Sequence, residues 1–228
     1  MDGMHAVSPP RRAWRVSANP RGVFAFRVRG NGPIWRWDDP FDAYGVLYLA
    51  EAPRAAYVEF FGDLRPAPGM KEASQTVKQD GAGMPETTIK TGEVSAASLE
   101  KLRIGEATLE DGSIADVTAS QSVQTLRAAI WGQLKTAGLD DLSTAIIQGR
   151  DYRITQAISH LLYTQDQGYA GIRCPSYYGT DLVCWTFFQG SSPQLNLRIA
   201  ASSLSLNIVS SQDPDLLGAL DTLRICIV

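Results

Sequence analysis

The chain is poor in the residues on which several large enzyme classes depend. Its 228 residues include two histidines, His5 and His160, and three cysteines, Cys174, Cys184 and Cys226. No His-Glu-x-x-His or Cys-x-x-Cys run occurs, so the common zinc sites lack a ligand set, and no Gly-x-Ser-x-Gly elbow marks a hydrolase serine. The phosphate-binding Gly-x-x-x-x-Gly-Lys-Ser/Thr run is missing, and Gly30-Asn31-Gly32 lacks the third glycine of a dinucleotide fingerprint. Three widely spaced cysteines do not make a disulfide framework, and each is expected as a small buried hydrophobe. No apolar run approaches the roughly eighteen residues that span a bilayer, and Arg11-Arg12 are not followed by the apolar core of a leader. A formal net charge of -3 and a pI near 5.4 leave no basic footprint for nucleic acid. The expectation is a cytoplasmic protein with metal-free chemistry that binds neither nucleic acid nor membrane.

What is present is ordinary globular composition, 44% hydrophobic and 20% charged, enough for one sizeable core. Residues 1–20, with Pro9-Pro10-Arg11-Arg12 and little periodicity, read as a loosely ordered arm. Residues 21–228 read as a single domain, interrupted at about 66–97 by a Gly-, Ser-, Thr-, Lys- and Glu-rich flap or loop. A homodimer is compatible with the sequence.

Local patterning predicts the elements. Val23 to Val28 alternates as an early strand that carries Arg27, and Val46 to Ala50 is a short apolar block bounded by Gly45 and Glu51-Ala52-Pro53. Pro53 suits a first helical turn, and the helix it opens ends near Gly62 or Leu64. Val123, Leu126, Ile130 and Leu134 recur at helical spacing, which predicts a helix from a Ser122 cap to about Thr136, ending at Gly138. Ile154, Ala157, Ile158, Leu161 and Leu162 make the buried face of a second helix, with His160 beside it. Strands are expected near Thr87 to Lys90, Leu102 to Leu109, Gly171 to Cys174, Leu182 to Phe188, Leu195 to Ile199, Leu204 to Val209 and Leu223 to Val228, and a helix after Asp213-Pro214.

Candidate functional residues cluster in two blocks. The first holds Phe26-Arg27, Trp35-Arg36-Trp37-Asp38-Asp39-Pro40, Leu47-Tyr48-Leu49-Ala50 and Val58-Glu59. The second is Gly168-Tyr169-Ala170-Gly171-Ile172-Arg173-Cys174-Pro175-Ser176. In this order the motifs resemble the RES domain, a bacterial family named for an arginine, a glutamate and a serine; the resemblance covers about Phe24 to Leu64 and Asp151 to Phe188. It implies an α+β fold like that of ADP-ribosyltransferases, with a mixed sheet core and flanking helices. It also implies NAD as substrate, with no tightly bound cofactor. The nicotinamide–ribose bond is then cut by hydrolysis or phosphorolysis, in a growth-inhibiting toxin that a helix-turn-helix antitoxin of the Xre class neutralises. The carried-over residues are Arg36, Tyr48, Glu59 and Ser176 as catalytic, and Arg27, Arg36, Tyr48 and Ser176 as NAD-binding. Val28, Asp38 and Ala170 depart from the family pattern, which keeps two further readings open: a protein ADP-ribosyltransferase, and a catalytically silent binding module of the same fold.

The chemistry of these side chains suits that reaction. Guanidinium groups such as Arg27 and Arg36 bond a diphosphate bidentately at every working pH. The Tyr48 ring can stack on a heteroaromatic ring while its hydroxyl anchors a neighbour. A carboxylate such as Glu59 can stabilise the oxocarbenium ion that forms as a cationic pyridine departs neutral, and Ser176 can bond the carboxamide or ribose. Each residue also has a plainer role open to it. Arg36 can pair with Asp38 or Asp39 on a turn, Tyr48 can be a core tyrosine, Glu59 can face solvent and Ser176 can be a turn serine.

Overall fold

Apolar blocks cut short by glycine, proline or charge become strands in the computed structural model, and apolar stripes at helical spacing become helices. The structure describes residues 3–27, 30, 32, 34–68, 74–75, 89–109, 112–165, 168–190 and 205–228. In chain order the strands are β1 (Ala6–Val7), β2 (Arg12–Ser17), β3 (Val46–Ala50), β4 (Ser74–Gln75), β5 (Ile89–Lys90), β6 (Glu93–Val94), β7 (Arg103–Thr108), β8 (Ile114–Asp116), β9 (Gly171–Ser176), β10 (Gly179–Phe188), β11 (Ser205–Ile208) and β12 (Cys226–Ile227). The helices are α1 (Pro53–Phe61), α2 (Ala96–Leu99), α3 (Ser120–Ala129), α4 (Trp131–Thr136), α5 (Thr144–Gln148), α6 (Tyr152–Thr164) and α7 (Pro214–Leu223). The chain is thus α+β, and it divides into two units where the sequence alone suggests one domain.

The first unit comprises Met1–Arg11, Phe26–Tyr48 and Leu109–Ile199. Its strands lie in the order β1, β8, β9, β10, β3, with β8 and β9 parallel and β1–β8 and β9–β10 antiparallel. Ile154, Ile158 and Leu162 recur every fourth residue along α6, and all three enter a core with Leu126, Ile130, Leu134 and Ile172. Asp151 caps α6 by accepting the Arg153 N–H at 3.2 Å, and Ser143 caps α5. Gly171 faces the backbone of β10 so closely that a Cβ there would collide with the Thr186 carbonyl, so the motif glycine is a packing requirement of the sheet. The single helix expected over 122–136 is two: Ile130 leaves helical dihedrals (φ -109°, ψ 23°), ending α3 and preceding α4. Ser122 is no cap. It is fully buried inside α3, and its hydroxyl accepts the His5 N–H at 2.9 Å.

The second unit comprises Arg12–Ala25, Leu49–Thr108 and Ala200–Val228. Its strand order runs from the end of β3 through β2 and β7 to β11, each pair antiparallel. Pro53 opens α1 and Pro214 opens α7, each at a position where the missing N–H costs no hydrogen bond. The two helices pack together, Arg54 of α1 donating to the Thr222 hydroxyl of α7 at 2.8 Å, and each buries an apolar face, Ala55, Val58 and Phe61 on α1 and Leu216 and Leu220 on α7. Tyr57 donates its phenol proton to Asp213, the α7 cap, at 2.8 Å.

Three further expectations are corrected here. The N-terminal residues supply β1 and β2, because Ala13 and Val16 are buried, while Arg12 before them and Arg15 between them obscure the strand pattern. Residues 22–25 form a turn, closed by Ala25 N–H on the Gly22 carbonyl at 3.0 Å, and residues 25–27 are irregular, with the Arg27 N–H donating to the Val46 carbonyl of β3, also at 3.0 Å. Cys174 is buried, but Cys226 is exposed, and no cysteine is in a disulfide. Most of the expected 66–97 flap, Val28 and the expected strand Leu195 to Ile199 lie outside the described residues. Among the described residues no helix is long and apolar enough to cross a membrane.

Candidate active site

Loop 34–45 carries a polar network whose hub is Asp38. One carboxylate oxygen accepts the N–H groups of Ile34 and Trp35, both at 2.8 Å, and pairs with the Arg27 guanidinium. The other accepts the Tyr48 hydroxyl at 3.1 Å, and that hydroxyl in turn accepts the Trp37 N–H at 3.0 Å. Arg27 gives a second bond to the Gly32 carbonyl at 2.7 Å. Side-chain exposures of 13% for Arg27 and 5% for Asp38 make this a largely desolvated pair, the setting in which each charge depends on its partner. The cavity beside it, lined by Arg27, Asp38, Asp39, Tyr44 and Val46, is about 10 Å³. That is room for a single water, far below what a nucleotide needs.

Arg36 behaves differently. It pairs with neither Asp38 nor Asp39; one terminal nitrogen donates to the Gln148 carbonyl at 3.1 Å, and the buried Nε has no hydrogen-bond partner among the described residues. Two residues past Gln148, Arg150 lies 4.7 Å from the ring centroid of Tyr177, the neighbour of Ser176. Arg36 and Ser176 thus stand at the two ends of a short run of contacts within one unit. Ser176 ends β9 with 2% exposure, and its hydroxyl accepts the Tyr178 N–H at 3.0 Å. Glu59 belongs to the second unit, where it is exposed on α1 between the buried Val58 and half-buried Phe60.

Behind the loop, the Tyr44 hydroxyl bonds Ser159 at 2.7 Å, and burial pushes this phenol's pKa well above its ordinary value. Burial and the Asp213 carboxylate do the same to Tyr57. The folded protein holds these protons to higher pH than the unfolded chain, which loses them near the ordinary phenol value of about 10. Stability from both groups is therefore complete below about pH 10 and falls as pH rises beyond it. Urea midpoints followed from pH 8 to 11 are expected to drop, and Tyr44→Phe with Tyr57→Phe to flatten the drop.

A family model for the RES domain matches residues 12–208. The chain belongs to the RES domain family. Among solved structures it resembles a chain in the crystal structure of the M. tuberculosis MbcT-MbcA toxin-antitoxin complex, with a TM-score of 0.53, 18% identity, and coverage of 96% of this chain and 91% of that one. At that identity the likeness shows a shared fold. No curated protein matches.

Within this RES domain, sequence reasoning read Asp38 as a departure from the family pattern or a turn partner of Arg36, and it passed over the polar trio that His160 forms on α6 with Gln156 and Ser159. The trio's signal was available: three polar groups at i, i+3 and i+4 beside an apolar stripe. Among the described residues no group of three or more His, Cys, Asp or Glu side chains is placed to hold a metal ion.

Proposed function

We propose that this RES domain is a toxin enzyme that cleaves the nicotinamide–ribose bond of NAD. The observation that carries the reading is the family match over 12–208, which spans Arg27, Arg36, Tyr48, Glu59 and Ser176 in order. Arg36 supports it physically: an oriented guanidinium with a buried, unpartnered Nε suits an anionic ligand. In the reaction the bond from ribose C1′ to the pyridinium nitrogen breaks with its electron pair going to nitrogen. The nicotinamide leaves neutral, so no general acid is required. Arg36 grips the diphosphate, the Tyr48 ring packs against the nicotinamide, and Ser176 bonds its carboxamide. Glu59 stabilises the sugar cation until water or phosphate attacks C1′ and loses a proton. Arg27, committed to Asp38 and Gly32, acts in this scheme by fixing the loop rather than by touching substrate.

The MbcT-MbcA assembly is a toxin-antitoxin complex, and for this chain we extend that to an antitoxin partner of the Xre class that closes the site. The test is purified protein with NAD, with and without phosphate, followed by nicotinamide release. Stoichiometric release supports glycosidic cleavage, and phosphate dependence identifies phosphorolysis. Label from NAD appearing on protein in a lysate points instead to ADP-ribosyl transfer. A folded sample that releases no nicotinamide under any of these conditions rejects the proposal.

A further inference from the structure

Four contacts tie loop 34–45 to one face of α6. Gln156 Nε2 donates to the Trp35 carbonyl at 2.9 Å, and the Ser159 hydroxyl donates to the Trp37 carbonyl at 2.7 Å while bonding the Tyr44 hydroxyl. His160 Nδ1 lies 2.9 Å from Asp39 Oδ1. The Asp39 side chain has no exposure, and it also accepts the Ala43 N–H. Gln156, Ser159 and His160 fall on one helix face by their spacing, and α6 itself is anchored in the core by Ile154, Ile158 and Leu162. Arg36 sits between the two carbonyls so held, Trp35 on one side and Trp37 on the other. A guanidinium flanked by two fixed peptide groups has little backbone freedom left, which is what orientation of an anionic ligand demands.

We infer that His160, together with Gln156 and Ser159, is a positioning residue that holds the Arg36 loop in its binding geometry by donating from Nδ1 to the buried carboxylate of Asp39. The kinetic part of the inference rests on the NAD reading; the structural part does not. A buried carboxylate accepts, so the imidazole proton resides on Nδ1, and the function lies in that donor and not in Nε2. Phe41, edge-on to the ring at 4.7 Å, limits its rotation.

The variants that separate a positioning role from a proton-transfer role are His160→Ala, His160→Asn and His160→Gln. Asparagine places an amide N–H where Nδ1 stands, and glutamine where Nε2 stands. Two readouts are taken on each variant and on wild type: steady-state NAD cleavage, and hydrogen exchange at the Ile34, Trp35 and Trp37 amides. His160→Ala is expected to raise KM for NAD about tenfold with kcat changed by less than about threefold, the pattern of lost binding geometry. It is also expected to speed exchange at the three amides. His160→Asn restores both, and His160→Gln restores neither. The inference is overturned if His160→Asn is as impaired as His160→Ala, if kcat falls at unchanged KM, or if exchange does not change. Gln156→Ala removes a neutral bond without stranding a charge, and its expected exchange pattern matches that of His160→Ala; unchanged exchange there also counts against the inference. If wild type itself releases no nicotinamide, the NAD reading fails, and exchange alone still decides whether α6 positions the loop.

Discussion

Asp38→Ala is expected to destabilise the protein by about 3–5 kcal/mol, because it strands a mostly buried guanidinium. The same change removes the acceptor for the Ile34 and Trp35 amides and for the Tyr48 hydroxyl, so one side chain organises three separate segments. Asp38→Asn retains an acceptor oxygen and loses the charge, and its cost is expected to be smaller, about 1–3 kcal/mol. Part of the loss should be recovered in the double variant Asp38→Ala/Arg27→Ala, since removing both charges leaves neither unpaired. Equilibrium urea unfolding of the four proteins measures this directly. A loss below about 1 kcal/mol for Asp38→Ala would put the pair among ordinary surface ion pairs and sink the description of Asp38 as a hub.

Why Asp38 was not legible in the sequence, while much of the fold was, follows from where the information lies. The strand at Val46–Ala50, the helix opened by Pro53, the α6 stripe and the Asp213-Pro214 start are local signals: a bounded apolar block, a proline at the first turn, a spacing of four, a cap. Each appears where the pattern places it. Asp38 depends on Arg27 eleven residues before it and Tyr48 ten residues after it, across a loop with no periodicity. Its charge therefore reads as a departure from a motif when it is the counter-ion of the neighbouring motif's arginine. The same limit hid the break at Ile130, which keeps its place in the apolar stripe while leaving helical dihedrals, and hid β2, whose buried Ala13 and Val16 are separated by polar and half-buried residues. For the site, residue types were legible and commitments were not. Arg27 and Arg36 look equivalent in the sequence, and only the fold separates the arginine neutralised by Asp38 from the one that keeps a buried donor without a partner.

That separation makes Arg36 and Glu59 the substitutions with the largest expected effect on activity. Among the described residues, Arg36→Ala removes one hydrogen bond, to the Gln148 carbonyl, so its effect on stability should be about 1 kcal/mol. Nicotinamide release should fall by about 10²–10³-fold in kcat/KM, the scale set by losing a preorganised charged donor. Arg36→Lys is not expected to rescue it, because a point charge cannot reproduce two parallel N–H bonds to a diphosphate. Glu59→Gln tests the other half of the chemistry. Glu59 is exposed, so its exchange for an isosteric amide should leave thermal unfolding nearly unchanged. The sugar cation exists only near the transition state, so the loss should appear in kcat, again about 10²–10³-fold, with KM little altered. Arginine and glutamate variants would then differ in kind: a fall shared between KM and kcat for Arg36→Ala, and one confined to kcat for Glu59→Gln. Undiminished release by Glu59→Gln would remove the carboxylate from the mechanism, whereas undiminished release by Arg36→Ala would leave the unpartnered Nε without a ligand to explain it.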